Sequence, residues 1–337
     1  MTESSSVRTG SSRSPGILQR VSRLQRRAPV LQSLVLVLLF LYGTITISGF
    51  AMEGNVRSML VIASLLALAS LGQTLVIILG GLDLSIPGFI VFGAVAVTEL
   101  FGSHGWPSLA AIVAVVLAAA ALGALTGWIC HTYWINPLIV TLGMGGVVAG
   151  GMLAWTGGSI TGTGPAFLTT LTSPAETTFG IPVAPVVAIT LGVAILVAVA
   201  LYRSRSGRRL YATGANPRAA ALARINTQTI WMAVFALSAV CSTLVGVLLV
   251  GFSGADQSLG DPYLFQGLTA VIVGGTTIMG ARGDFTHTVV GALILTVLTT
   301  IFVGNDISEA AQQIIFGVLL LVVVASYGRE ARLRDRV

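Results

Sequence analysis

The chain is 337 residues long, 55% hydrophobic and only 9% charged, with a mean hydropathy of +0.92. A soluble domain carries about 25% charged residues, so this composition describes an integral membrane protein. The net charge is +6 and all 18 basic residues are arginine. The lack of lysine excludes a phosphate-binding Walker A loop and Schiff-base chemistry, so any ATP hydrolysis falls to another chain.

Residues 1–30 are rich in Ser and Arg and read as a disordered tail, too poor in apolar side chains to fold. The apolar run that follows has only a poor small-residue cleavage site around Ser48 to Glu53 and reads as an uncleaved first transmembrane helix. Roughly 20 apolar residues cross a bilayer as a helix. Spans are predicted at 31–50, 58–79, 88–101, 108–130, 137–155, 182–202, 227–250, 264–280, 285–303 and 309–327. The fold class is therefore all-α, a polytopic bundle of about ten helices. Residues 31–327 form one transmembrane domain, and 328–337 form a short C-terminal tail.

Charge orients this bundle. The segment 203–226 carries Arg203, Arg205, Arg208, Arg209, Arg218 and Arg224 without an acid. Ten crossings from a cytoplasmic N-terminus put the tail, this loop, the 281–284 turn and the C-terminus inside. Those segments hold every arginine except Arg57, whereas the outer loops carry Glu53, Glu99, Glu176, Asp256, Asp261, Asp306 and Glu309. That asymmetry is the positive-inside bias, and it assigns the basic charge to topology and anionic lipid instead of nucleic acid.

Two glycine clusters stand out: Gly143, Gly145, Gly146, Gly150 and Gly151 in one span, and Gly274, Gly275 and Gly280 in another. The favoured reading is close helix packing in lipid; the alternative is helix breaks that line a pathway. A weak internal echo links LGGLDLSIPGFIVFGA (79–94) with MGARGDFTHTVVGALI (279–294), the kind of duplication transporters use.

Asp83 is the one acid with no obvious aqueous loop. A charge at mid-bilayer costs about 2.5–3.5 kcal/mol on insertion scales, so compensation is expected. Asp83 or Ser85 is expected to cap the following helix, with Pro87 in its first turn. A pathway or gating role for Asp83 and Ser85 is the second reading, with Gln73, Thr74, Asn136, Thr141, Gly274 and Gly275 as further pathway candidates. His104, His131 and His287 show no metal-binding spacing. Cys130 and Cys241 form no CxxC pair, and no catalytic motif appears.

The basic loop GRRLYATGANPRAAALARI (207–225) carries structural punctuation. Gly214 is suited to a turn, Asn216 to an N-cap, and Pro217 to Ala223 to a helix of about two turns. Its alanines suit a protein groove better than a lipid surface, which calls for Trp, Phe or Leu.

The order and spacing of several motifs resemble the permease subunits of bacterial ATP-binding-cassette importers of the ribose/xylose monosaccharide type. The resemblance runs from about 55 to 327 and rests on GGLDLSIPG (80–88), NPLIVTLGM (136–144), WTGGSI (155–160), the 207–225 loop and VIVGGTTIMGARGD (271–284). It implies a multi-pass protein of the bacterial inner membrane with no cofactor on this chain, ATP and magnesium being bound by partner ATPase subunits. It also implies an extracytoplasmic sugar-binding protein and a second permease, identical or related. The ATPase would grip the loop through Gly207, Tyr211, Gly214, Asn216, Arg218, Ala219, Ala220 and Ile225. Arg224 stands where the family has glycine, and Pro87-Gly88 stand where it has Gly-Ser. The competing class is a proton-coupled secondary transporter with Asp83 as the titrating group, which needs intramembrane ionisable partners.

Overall fold

The computed structural model describes residues 29–277 and 280–334, with side chains described as far as residue 322. The tail expected at 1–30 lies, up to residue 28, outside the described residues. Among the described residues thirteen helices occur in chain order. They are α1 (Val30–Thr46), α2 (Glu53–Leu79), α3 (Ile86–Thr98, prolonged by a π-turn Glu99–Ser103), α4 (Ser108–Tyr133), α5 (Pro137–Thr156), α6 (Ala166–Thr172) and α7 (Pro185–Arg203). There follow α8 (Arg205–Ala215), α9 (Pro217–Leu222), α10 (Thr227–Ser253), α11 (Asp261–Val273), α12 (Phe285–Gly304) and α13 (Glu309–Arg334). Among the described residues there is no β-strand, only a bridge between Thr178 and Ile181.

Every predicted span coincides with a helix, yet among the described residues only seven helices are long and apolar enough to cross a membrane: α2, α3 with its π-turn, α4, α5, α7, α10 and α12. The segment expected to cross at 264–280 is a 13-residue helix that stops at Val273. The chain leaves it through Gly274 and Gly275, the latter at φ +98°. In this segment the glycines do break the helix; in α5 they do not, for that helix runs unbroken through all five of its glycines.

Long helices that are apolar all round belong in a core or in lipid, and here they divide into both. Helices α2 and α10 form the centre. Leu71, Leu75, Val234 and Phe235 make one core cluster, and Val61, Leu65, Val245 and Leu249 make another with Ile86 and Ile90 of α3. Helices α4, α5 and α7 lie outside and remain mostly exposed, as expected of surfaces facing lipid or another chain.

Two helices are halves. The chain leaves α2 at Gly80 (φ +94°) and runs extended to Ser85 before α3 begins. In that stretch the Asp83 side chain meets Ser238, near the middle of the 27-residue α10. Gly88 packs on Gly145, near the middle of α5. Helix α3 therefore starts halfway through the bundle. Helix α11 starts there too, because Gly260 lies directly on the Pro87 backbone, its absent Cβ falling 2.3 Å from the Pro87 carbonyl oxygen. Discontinuous helices meeting at mid-depth are a transporter device.

Candidate functional site

The first half-helix is held by Asp83. Its Oδ1 accepts from the Ser85 N–H at 2.9 Å and from the Ser85 hydroxyl, and its Oδ2 accepts from the Ser238 hydroxyl at 2.6 Å. The side chain is buried. Ser85 is the N-cap residue of α3 but makes no side-chain capping bond, and Asp83 holds the Ser85 N–H in an Asx-turn instead of capping the helix as expected; Pro87 lies in the first turn as expected. Thr141 of α5 fastens the same segment, accepting from the Leu84 N–H at 3.0 Å. Asp83, Ser85 and Thr141 thus come together. Every group hydrogen-bonded to Asp83 is a hydroxyl or a backbone N–H.

The second break repeats the arrangement. Asp284 N-caps α12: its Oδ1 accepts from the Thr286 N–H at 3.1 Å, and its Oδ2 from the Thr286 hydroxyl at 2.7 Å and the Tyr202 hydroxyl at 2.6 Å. His287 Nδ1 lies 3.4 Å from the same oxygen. Burial alone would raise the Asp284 carboxyl, but the hydrogen bonds from His287, Tyr202 and Thr286 outweigh it and hold it at about 2, against an ordinary 3.8. The internal echo of the two motifs is therefore structural: each is a Gly-rich break, an Asp, and a hydroxyl two residues on.

The two breaks touch. The Ala281 N–H donates to the Ile78 carbonyl at 2.9 Å, and Gly280 (φ +80°) lies against Gly80. Onto this crossing the basic segment lays α8. The α-carbon of Gly214 is so close that a Cβ would fall 2.0 Å from the Ile78 oxygen, and the Tyr211 hydroxyl donates to the Gly283 carbonyl at 2.7 Å. Burial and the nearby Asp284 push the Tyr211 hydroxyl up to about 12, so it remains a donor. The loop is thus two helices where one was expected, and Gly214 is a point of close approach within α8, not a turn. Ser204 caps α8 through the Gly207 N–H, and Asn216 caps α9 through the Ala219 N–H, the latter as predicted. Gly207 and Ala220 face inward, whereas Asn216, Arg218, Ala219 and Leu222 are exposed, Leu222 to 88%. Ile225 is partly buried and closes α9, its N–H donating to the Ala220 carbonyl at 3.1 Å.

The remaining pathway candidates are spread out. Gln73 is buried on α2 with no hydrogen-bond partner for either side-chain polar atom, and Thr74 bonds Thr288 of α12 at 3.0 Å. Asn136 caps α5, and Gly274 and Gly275 end α11. None of the eight lines the cavity of ≈ 470 Å³ that opens where α3, α5 and α11 meet. Its walls include Leu84, Pro87, Gly145, Asp261, Phe265 and Gln313. Sequence reasoning had counted Asp261 as an outer-loop acid and passed over Gln313 and Phe265; the helix-start signal Asp261-Pro262 was the available clue.

At the far end, Glu99 accepts from the Thr161 and Gly162 N–H groups at 2.9 and 3.3 Å, clipping the loop after α5 to the end of α3.

A bundle with paired half-helices and a basic element seated on their crossing suits a transport subunit. Residues 55–324 match the family described as the permease component of branched-chain amino acid transport systems. The chain belongs to this permease family. The ribose import permease protein of Escherichia coli is 31% identical over 297 residues, covering 86% of this chain and 90% of the relative. The D-allose transport system permease protein of Escherichia coli is 28% identical over 291 residues, covering 86% and 88%. The autoinducer 2 import system permease protein of Klebsiella pneumoniae is 31% identical over 270 residues, covering 77% and 79%. No solved structure matches the chain. The permease is thus the membrane subunit of an ATP-binding-cassette importer, and ATP hydrolysis belongs to a separate subunit.

Proposed function

We propose that this permease carries a monosaccharide of the ribose, xylose or galactose kind across the bacterial inner membrane. The relatives named for ribose and allose support a sugar, and the hydroxyl and N–H contacts of Asp83 do not favour the proton-coupled alternative. The chain crosses ten times with both termini in the cytoplasm, α1, α11 and α13 completing the seven long spans. This orientation follows from arginine on the α8–α9 side and acids opposite. A sugar-binding protein delivers the solute from outside, a second permease copy or a related permease closes the pore, and membrane lipid surrounds the pair. ATP and magnesium act only on the partner ATPase.

The observation that carries this reading is the seat of α8 on the crossing of the two breaks. An ATPase gripping the exposed face of α9 moves α8, and α8 bears directly on Ile78 and Gly283, the last turn before one break and the last residue but one before α12. ATP binding thereby supplies the differential stabilisation that a change of state requires.

The test is affinity purification from detergent extracts of wild type beside Leu222→Glu and Ala219→Glu, both on the exposed face. A co-purifying ATPase that is lost from the variants, with their folding intact, supports the reading. A permease that purifies alone in every form, or variants that keep both the ATPase and sugar uptake, refutes it.

A further inference from the structure

Two open cavities on the permease share a wall. One, of ≈ 630 Å³, lies towards the acidic end and includes Ser253, Ser258, Gln266 and Glu309 in its lining. The other is the ≈ 470 Å³ cavity beside the α3 break. Both volumes fall in the range that holds a small molecule. Asp261 and Gln313 line both. A solute moving from the outer cavity to the inner one passes between them.

Asp261 sits in the first turn of α11, where the helix dipole favours a carboxylate, but that role leaves its oxygens open to the cavities. Asp261 begins α11 against Pro87, and Pro87 lies in the first turn of α3 at mid-depth. An uncompensated carboxylate facing lipid at that depth is expensive. Yet among the described residues neither the Asp261 carboxylate nor the Gln313 amide has a hydrogen-bond partner, and both residues are exposed. Groups of this kind are sustained by water or by a solute. Phe265, one turn further along α11, is 38% exposed in the same inner cavity.

We propose that Asp261, Gln313 and Phe265 form a solute station halfway across the membrane, selective for a neutral polyhydroxylated molecule. The carboxylate accepts from solute hydroxyls, the amide both donates and accepts, and the ring covers the C–H face of the solute. The described lining of the two cavities contains Asp261 and Glu309 and no basic residue, so an anionic solute finds no counter-charge there. The station rests on the monosaccharide import reading and adds to it the residues that sense the sugar between binding protein and cytoplasm.

The experiment uses the complete importer, permease with its ATPase and binding protein, in proteoliposomes. The permease carries Cys130→Ala and Cys241→Ala, so that the only thiol is one introduced by Asp261→Cys or Gln313→Cys. A membrane-impermeant thiosulfonate added outside is expected to label both positions, and D-ribose, D-xylose or D-allose, whichever the importer carries, is expected to slow labelling. In the otherwise unaltered permease, Asp261→Leu and Gln313→Leu are each expected to lower uptake of that sugar by roughly tenfold, the worth of a hydrogen bond to a charged or fixed polar group. Asp261→Asn is expected to lose less, and binding-protein-stimulated ATPase to persist in all three. Thiols that do not label, labelling that the carried sugar leaves unchanged, or full uptake in the leucine variants overturns the station. An importer that carries none of the three sugars fails differently: it defeats the monosaccharide reading, and the sugar station falls with it.

Discussion

Gly214→Ala separates two accounts of the basic segment. By propensity alone, alanine favours a helix over glycine by about 1 kcal/mol, so a freely exposed α8 would become more stable. The geometry of α8 predicts the reverse. A methyl group at this position would lie 2.0 Å from the Ile78 carbonyl oxygen and 3.3 Å from the Ala281 nitrogen that donates to it. Restoring ordinary contact requires α8 to withdraw by about 1 Å or more, since both obstacles are backbone. Overpacking of this kind costs about 1–3 kcal/mol, so the net change is roughly 0–2 kcal/mol of destabilisation after the propensity gain. The functional loss is larger in proportion, because a withdrawn α8 no longer bears on either break. Sugar uptake by the reconstituted importer is expected to fall roughly tenfold, the scale of a 1–2 kcal/mol loss of coupling. The ATPase should still bind, because the exposed face of α9 is untouched. Thermal unfolding in detergent, uptake and ATPase co-purification together read the outcome. A variant that is more stable than wild type and imports normally would refute the seat of α8 on the crossing.

Three further outcomes follow from the same contacts. Asp83→Ala leaves the Ser85 N–H and the hydroxyls of Ser85 and Ser238 unpaired in the interior, a loss of roughly 3 kcal/mol or more at about 1–3 kcal/mol per group, whereas Asp83→Asn keeps an acceptor for Ser85; detergent melting curves should rank them wild type, Asn, Ala. Tyr211→Phe removes only the hydroxyl bonded to Gly283, so it should cost about 1 kcal/mol of stability while raising the ATP consumed per sugar imported; an unchanged ratio would argue against transmission through this bond. The Asp284 carboxyl, held at about 2 against 3.8, contributes stability that is present above the ordinary carboxylate pKa and lost as pH falls towards 2. Asp284→Asn should flatten the acid limb of a melting-temperature profile and leave its neutral part parallel to wild type.

Much of the helix content was legible because lipid imposes a simple rule on composition: long apolar runs between Glu53 and Gly304 became helices with ends close to those expected. The cap at Asn216 was legible for a local reason, an Asx-Pro pair ahead of alanines. Legibility failed where a tertiary contact decides. Gly274 and Gly275 interrupt a run with no charge in it, and only the neighbouring α12 shows that the chain turns there. Gly214 reads as a turn from its φ freedom, yet it lies within α8, and what calls for glycine there is Ile78, which leaves no room for a Cβ. Asp261 was assigned to an outer loop because charge usually marks water; the fold draws it to mid-depth, where the same rule marks a pathway. The partners of Asp83 and Asp284, Ser238 and Tyr202, lie 155 and 82 residues away along the chain, and nothing local announces them.

The hydroxyl cage of Asp83 has an electrical consequence. Because Ser85 and Ser238 fasten the carboxylate to α3 and α10 together, any charge on it travels only as far as those helices move. Carrying one charge across the whole membrane against 100 mV is worth about 2.3 kcal/mol. A displacement of about 3 Å in a hydrocarbon core about 30 Å thick then involves only about 0.2 kcal/mol, even for a fully ionised group. Import by this permease should therefore run at nearly the same rate in polarised and depolarised vesicles, leaving ATP supply to govern uptake when the membrane potential collapses.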